Sequence, residues 1–190
     1  MDLFTAMQER RSCRNFLTDA IEDEQTNKIL EAATWAPSPL NGQPWEFIVI
    51  TGLKYKKQIQ AEATRCRDWA VDESGWKWLG GYPLDFLETV PLIVAVVGDI
   101  KKTGMDQFQA EGNVGYQHAC AAAIQNMLLA AHADGLGGLW FTMYDKANMR
   151  QILTLEEGKT PLALICIGRP AKTAPPVKRA KIVAKTKYLR

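Results

Sequence analysis

The sequence predicts an α+β domain, with a mixed, mainly antiparallel sheet of four to five strands flanked by helices. Short β-rich runs and amphipathic helical stretches follow one another in mixed order, without a repeat or a strict alternation of strand and helix. The length of 190 residues suits one domain, and no linker divides the chain. We therefore expect one domain over residues 1–170 and a C-terminal arm over residues 171–190.

Hydrophobic periodicity and local stop signals place the individual elements. Pro37 and Pro39 end the second helix, and Gly135 suits the position that follows a helix C-cap. Residues 69–90 hold three tryptophans without a sustained period, so we expect an irregular or mobile excursion there. The predicted helices cover residues 2–9, 23–35, 53–70, 114–134 and 146–153, and the predicted strands cover residues 46–51, 92–97, 139–142 and 162–167.

The helix predicted over residues 114–134 is apolar nearly all round. Its alanines permit another helix to approach closely. A helix with so little polar surface is buried, either in the core of its own chain or against another subunit.

The composition excludes several classes of protein. A hydrophobic content of 47% excludes a disordered chain, and no apolar run reaches the roughly 18–20 residues that span a bilayer. The N-terminus lacks the basic and apolar regions of a secretory signal. Four cysteines without a CxxC pair and only two histidines argue against a disulfide scaffold or a zinc site. We expect a cytoplasmic protein that has no metal and no membrane partner.

Charge is distributed unevenly along the chain. Residues 169–190 hold eight basic and no acidic residues, whereas residues 18–168 hold 12 basic and 19 acidic residues. This arrangement suits an anionic partner, which is a nucleic acid, a phosphate-bearing cofactor or the acidic body of another subunit. A merely solvated tail explains it equally well. Aromatic residues are not interleaved with the basic ones, so we expect no nucleic-acid partner.

Three clusters could carry chemistry, and the first follows the N-terminal helix. Arg10, Arg11, Ser12 and Arg14 place three guanidiniums and a hydroxyl within five residues. Arginine offers forked, permanently charged donors, so this cluster can hold a phosphate and a polar sugar chain. Surface arginines are common, and the alternative is a solvated cluster without a ligand.

The second cluster is the segment 36–45, with the sequence APSPLNGQPW. Its three prolines fix a loop that displays Ser38, Asn41 and Gln43 as neutral donors and acceptors. Such groups suit a ligand with amide-like edges, for example a flavin or pterin ring. The alternative is a structural turn in which Trp45 fills the core.

The third cluster is the glycine-rich segment 135–138. Glycines such as Gly137 and Gly138 let a ligand approach the backbone closely, where N–H groups can meet a ring carbonyl or nitrogen. The segment lacks the G-x-G-x-x-G pattern and opens no helix after a strand, which excludes a Rossmann site. A helix C-cap is the alternative explanation.

Taken together, the motifs resemble the FMN-dependent nitroreductase family. The order is RRSCR, then APSPLNGQPWEF, then QNMLLAAHADGLGGLW in the alanine-rich helix and beyond it, then PLALICIGRP. The resemblance covers residues 1–170 and is weakest over 55–90 and 99–113.

The resemblance implies a homodimer that binds FMN between its subunits, with each C-terminal arm wrapping the partner. Arg10, Arg11, Ser12 and Arg14 match contacts to the phosphate, ribityl chain and ring edge. Gly137 and Gly138 match backbone donors to the flavin, and Lys178 and Arg179 match phosphate-binding residues of the arm. The loop that the other subunit brings to the same flavin is matched by Pro37, Ser38, Pro39, Leu40 and Asn41, together with Gln43.

The implied activity is a ping-pong transfer of two electrons from NADH or NADPH, through FMN, to a small-molecule acceptor such as a nitroaromatic or quinone. The lid over the acceptor site would come from residues 65–90 or 103–113. Two alternatives stay open. One is a specialised member that dehalogenates, dehydrogenates or consumes its own flavin, and the other is an FMN-binding sensor without turnover.

Overall fold

The chain folds around one sheet of four strands in the residues that the structure, a computed structural model, describes, namely 1–110 and 112–189. The strands are β1 (Trp45–Ile50), β2 (Leu92–Asp99), β3 (Gly137–Phe141) and β4 (Lys159–Gly168). They lie in the order β1-β2-β4-β3, and each neighbouring pair is antiparallel. The predicted α+β class, with four to five mainly antiparallel strands, is confirmed. Glu111 in one candidate lid and Arg190 in the arm lie outside the described residues.

Helices flank the sheet on both faces. They are α1 (Leu3–Glu9), α2 (Asp23–Thr34), α3 (Leu53–Ser74), α4 (Lys77–Gly80), α5 (Phe86–Thr89), α6 (Gly115–Ala133) and α7 (Lys146–Ile152). Short 3-10 turns occur at Pro39–Asn41, Gly104–Phe108 and Ile182–Lys185. In the part of the chain that the structure describes, no helix is long and apolar enough to cross a membrane.

Local chemistry at the helix ends explains where they begin and stop. The Asp2 carboxylate caps α1 by accepting the Thr5 N–H at 3.1 Å, and the Asp145 carboxylate caps α7 in the same way. Gly135 follows the C-cap of α6 with φ at +77°, a backbone conformation that favours glycine. The prediction that Gly135 terminates this helix is therefore confirmed.

The two central strands, β2 and β4, are buried on both faces. Val94 and Ile165 belong to a core cluster with α2 and α6, whereas Ile93 and Leu164 belong to a second cluster with α3, α5 and α7. Successive residues of a strand point to opposite faces, so neighbouring positions enter different clusters. The sheet thus separates two cores, with α6 against one of them.

The segment after residue 69 differs from its prediction. Helix α3 continues to Ser74, and α4 and α5 follow it. Leu79 and Leu87 are both buried, and Leu87 belongs to the second core cluster, whereas α4 packs against α3. The prediction of an irregular segment is therefore wrong over α4 and α5 and holds only for the short connections at 75–76 and 81–85, while mobility stays a prediction. Helices α4 and α5 have only four residues each, too few to display a helical period in the sequence.

Two strand boundaries also differ. Strand β4 begins at Lys159, three residues before the predicted start, and contains Pro161. Proline is tolerated because β4 pairs there with β2 alone, beside a register shift that marks a bulge. Strand β3 begins at Gly137 instead of Leu139, so the glycine pair belongs to the strand and not to the loop before it.

The arm begins where the chain leaves the sheet. The Ala171 N–H donates to the Asn15 carbonyl at 2.9 Å, and most of the arm beyond it is exposed. The whole chain exposes 11820 Å². A monomeric globular protein of 21.2 kDa is expected to expose about 9,100 Å². The chain by itself therefore leaves more surface in water than a compact monomer does.

Candidate functional site

The arginine cluster runs from the end of α1 to the edge strand β3. The Cys13 N–H donates to the Gly138 carbonyl at 3.0 Å, and Ser12 forms an isolated parallel bridge with Gly138. Cys13 is buried, whereas Ser12 and Arg14 on either side of it are exposed. Burial raises the pKa of the Cys13 thiol, which fits an anchoring role better than a nucleophilic one.

These arginines share a cavity of about 320 Å³ with the C-terminal arm. The cavity is lined by Arg10, Arg11, Ser12, Arg14, Ala174, Pro175, Val177 and Arg179. Burial, and then the positive charges of Arg179 and Arg11, lower the pKa of the Arg10 guanidinium. The structure therefore brings the predicted cluster together with the predicted Arg179. Lys178 is not part of this lining.

Among the described residues, the positive charges of the cavity lack acidic partners. Across residues 1–110 and 112–189, no carboxylate forms an ion pair with Arg10, Arg11, Arg14 or Arg179. The Arg11 Nη1 donates to the Arg10 carbonyl at 2.9 Å, but the Arg11 Nε is buried without a partner in the part of the chain that the structure describes. Four guanidiniums and a hydroxyl supply donors and positive charge, which is the donor set that a phosphate group takes. The cavity fits a phosphate-bearing ligand.

The glycine pair of β3 is needed for packing. A Cβ atom on Gly137 would lie 2.8 Å from Cys13 Cβ, and one on Gly138 would lie 2.6 Å from Leu128 Cδ2. Both glycines are buried. The space beside their α-carbons is thus filled by protein, and the predicted backbone contacts to a flavin stay a prediction.

The proline-rich loop holds backbone strain. Leu40, Asn41 and Gln43 have φ values of 53°, 50° and 43°, and the described residues contain only two other non-glycine residues at positive φ. Left-handed backbone costs about 1 kcal/mol for such residues and is concentrated at functional sites. Leu40 is also 83% exposed. The loop therefore presents an apolar side chain to the outside on a strained support.

Local hydrogen bonds and close packing hold this loop in place. Ser38 Oγ accepts the Gln43 N–H at 3.0 Å, and the Asn41 N–H donates to the Ser38 carbonyl at 3.1 Å. A Cβ on Gly104 would lie 2.5 Å from Pro39 Cβ, so the neighbouring 3-10 turn packs tightly on the loop. Trp45 is buried, as the structural-turn alternative expects. Both the structural and the ligand-binding interpretations of the loop therefore have support.

The arginine cluster and the proline loop lie at opposite ends of α6. The loop shares a cavity with His118 near the start of the helix, whereas Arg11 shares one with His132 near its end. Fourteen residues of α-helix span about 21 Å. One chain by itself does not bring the two predicted clusters to one ligand.

Tyr82 contacts the site and was not predicted from the sequence. Arg14 Nε donates to the Tyr82 hydroxyl at 2.7 Å, and the guanidinium carbon lies 5.6 Å from the Tyr82 ring centroid. The two residues are 68 positions apart. Tyr82 belongs to the aromatic segment without a period, so no local pattern relates it to Arg14.

The model of the Nitroreductase family matches residues 7–169. The chain belongs to the nitroreductase family. The match includes the arginine cluster, the proline loop and the glycine pair, while the arm after Arg169 lies outside it. The resemblance seen in the sequence motifs is thereby confirmed.

Relatives within the nitroreductase family carry different names. A protein from Methanothermobacter thermautotrophicus, assigned as an NADH dehydrogenase/NAD(P)H nitroreductase, is 28% identical over 90% of this chain and 79% of its own. The 5,6-dimethylbenzimidazole synthase of Rhodospirillum rubrum is 30% identical over 88% and 82%. An iodotyrosine deiodinase from Haliscomenobacter hydrossis is 28% identical over 91% and 81%.

Solved nitroreductase structures share the fold. A protein from Desulfovibrio desulfuricans, assigned as a nitroreductase and crystallised in complex with FMN, superposes with a TM-score of 0.77. It is 26% identical, and the alignment covers 100% of this chain and 98% of that one.

Proposed function

We propose that the chain is an FMN-dependent oxidoreductase that passes two electrons from NADH or NADPH to a small oxidised acceptor, such as a nitroaromatic or quinone, by a ping-pong cycle. The observation that carries the proposal is the cavity in which Arg10, Arg11, Arg14 and Arg179 meet without an acidic partner among the described residues. Relatives named for NAD(P)H and a structural neighbour in complex with FMN support the choice of cofactor and donor.

Each residue of the cavity has a distinct role in this proposal. Arg10, Arg11 and Arg179 would neutralise the FMN phosphate, because guanidiniums pair with phosphate through two parallel hydrogen bonds. The exposed Ser12 hydroxyl would hold the ribityl chain. Arg14 would face the ring edge, and Lys178 would add positive charge from outside the cavity lining.

FMN supplies the hydride and electron chemistry when it is bound, and the protein supplies orientation and charge. A guanidinium at the ring edge stabilises negative charge that develops there, because it is already fixed before the reaction. Arg14 is the residue that we assign to this task. No nucleophilic side chain is required, which agrees with the buried state of Cys13.

We infer that a second copy of the chain completes the site. The proline loop lies about 21 Å along α6 from the arginine cluster of its own chain, so a partner subunit would have to bring its loop, Pro37–Asn41 with Gln43, to the cluster. The strain at Leu40 and the large exposed surface support this arrangement. In a homodimer the nearly apolar α6 would also gain a covering partner.

The deciding experiment is a visible absorption spectrum of the purified protein before and after anaerobic addition of NADH or NADPH. We expect a flavin spectrum that bleaches and then recovers when a nitroaromatic or quinone is added. No flavin binding, even after FMN is supplied, would refute the proposal. A bound flavin that neither nucleotide bleaches would favour the sensor alternative.

A second candidate is a specialised reaction. The relative with 30% identity is named as a 5,6-dimethylbenzimidazole synthase, and another is named as an iodotyrosine deiodinase. Formation of 5,6-dimethylbenzimidazole from the flavin-loaded protein, or iodide release from iodotyrosine, would favour this candidate. Neither product, together with rapid reduction of a quinone, would favour the general reductase.

A further inference from the structure

Tyr82 forms a hydrogen bond with Arg14, the arginine of the cavity that we assign to the ring edge of FMN. Its hydroxyl oxygen accepts a hydrogen bond from Arg14 Nε at 2.7 Å. In the described part of the chain, this is the only hydrogen bond of the Arg14 side chain, and no carboxylate pairs with it. Arg14 is otherwise exposed, so its orientation depends on Tyr82.

Tyr82 itself is firmly held. Its N–H donates to the Leu79 carbonyl at 2.9 Å, and its ring packs against the second core cluster. Its carbonyl accepts from Arg67 Nη1 at 3.4 Å. Leu79 on one side and Leu84 on the other are buried. The hydroxyl of Tyr82 is therefore a fixed acceptor on an anchored part of the chain.

Tyr82 binds the Nε edge of the Arg14 guanidinium, and this choice decides which N–H groups stay available to a ligand. A guanidinium has five N–H donors in a rigid plane, and Tyr82 uses the one on Nε. The two terminal nitrogens keep their four N–H groups for another partner. Binding through Nε thus fixes the plane of Arg14 and leaves its forked end available.

We propose that Tyr82 is a positioning residue, which orients the Arg14 guanidinium toward the ring edge of the cofactor. This inference rests on the proposed function, because it takes FMN to be the ligand of the cavity. Tyr82 acts through Arg14 and needs no contact with FMN. A preoriented guanidinium stabilises developing negative charge more effectively than a freely rotating one, which must be ordered first.

The test compares Tyr82→Phe with the matched control Tyr55→Phe. Tyr55 lies on α3 with 46% of its surface exposed, and its hydroxyl forms no hydrogen bond within the described residues. Both substitutions remove a single phenolic hydroxyl. The measurements are the Kd of the apoprotein for FMN, from flavin fluorescence quenching, and the midpoint potential of the bound FMN.

We expect Tyr82→Phe to weaken FMN binding about threefold to tenfold, since the hydrogen bond to the charged guanidinium is lost and water replaces it only in part. We also expect a more negative midpoint potential, because the reduced cofactor loses an aligned positive charge. Tyr55→Phe changes neither quantity. In an Arg14→Ala background, Tyr82→Phe has no further effect on the potential, because the two residues act as one unit.

The outcomes separate this inference from the proposed function. Unchanged Kd and midpoint potential in Tyr82→Phe, with both altered in Arg14→Ala, would overturn the positioning role alone. A lower melting temperature without a change in either quantity would give Tyr82 a purely structural role and overturn the inference as well. An unsubstituted protein that binds no FMN would overturn the proposed function itself.

Discussion

Single residues show how much of this fold is fixed by close contacts. Glu62 on α3 is 7% exposed and accepts hydrogen bonds from the Arg65 guanidinium, the Asp145 N–H and the Asn148 amide. The bonds to Asp145 and Asn148 tie the middle of α3 to the start of α7. A buried carboxylate is stable only with such partners.

Replacing Glu62 with Gln is expected to lower the free energy of unfolding by about 2 kcal/mol at pH 7, as the charge-assisted bonds are lost. The hydrogen bond from Arg65 is the main cause that holds the pKa of Glu62 below its usual value. This stabilisation is therefore complete above the unfolded pKa of about 4.3 and is lost as the pH falls through the lower, folded pKa. Urea unfolding from pH 7 down to pH 3 measures it.

The exposed Glu73 on the same helix provides the control, because Glu73→Gln removes a charge without an ion-pair partner in the described residues. Equal losses for the two variants at pH 7 would contradict a special role for Glu62.

Gly137 is expected to tolerate no side chain. Gly137→Ala would place a Cβ 2.8 Å from Cys13 Cβ, an atom held close to the backbone, and so should cost about 1–3 kcal/mol through overpacking. The control is Gly80→Ala, where the nearest atom is 3.9 Å away. Chemical denaturation of both variants checks the difference, and a neutral Gly137→Ala would mean that β3 can shift.

At the scale of elements, long helices and buried strands could be predicted from the sequence, whereas α4 and α5 could not. The continuous apolar run of β2 and the long alanine-rich run of α6 are recognisable from their composition and from the end signals beside them. Helix α5 forms because Leu87 reaches a core built by distant strands, and α4 forms where Leu79 is buried as the helix packs against α3. Motifs in the sequence could predict two parts of the arginine cavity, namely the cluster at residues 10–14 and Arg179. They could not predict Tyr82, because it meets Arg14 only through tertiary packing.

The segment around α4 displays a stacked pair of exposed tryptophans. Trp76 and Trp78 are 57% and 68% exposed, and their ring centroids lie 5.9 Å apart. Buried Leu79 fixes the helix that carries them. Because Tyr82 links this segment to Arg14, we expect the pair to form a wall of the acceptor site within the lid predicted over residues 65–90.

Trp78→Ala is accordingly expected to raise the KM for a nitroaromatic acceptor about threefold to tenfold, since an aromatic contact contributes roughly 0.5–1.5 kcal/mol. Ferricyanide, which has no aromatic ring, serves as the control acceptor, and its KM should stay unchanged. Steady-state kinetics with both acceptors decide the matter. Equal changes for the two acceptors would assign the tryptophan to folding or to the cofactor.

At the scale of the whole molecule, exposed surface and charge favour assembly. The chain exposes roughly 2,700 Å² more than a compact monomer of its mass is expected to. The basic arm and the acidic body have opposite charges, so an arm laid on a partner is attracted to it. The arm would be the part of the dimer most sensitive to salt.

Deletion of residues 171–190 is expected to convert a dimer into monomers at micromolar concentration, as measured by analytical ultracentrifugation. The deletion also removes Arg179 from the cavity. The full-length Arg179→Ala variant separates these effects, because it should stay dimeric while binding FMN more weakly. A stable, flavin-loaded dimer of the shortened chain would remove the arm from both roles.

The arginine cluster and the proline loop lie at opposite ends of α6, and this separation has a genetic consequence. If each site takes its arginines from one chain and its loop from the other, then a chain defective in Arg10 and Arg14 and a chain defective in Ser38 and Asn41 would both be inactive alone. Their mixed dimer would hold one site with both defects and one site with none. Co-expression of the two variants should therefore restore activity by complementation, although neither gene product has any of its own.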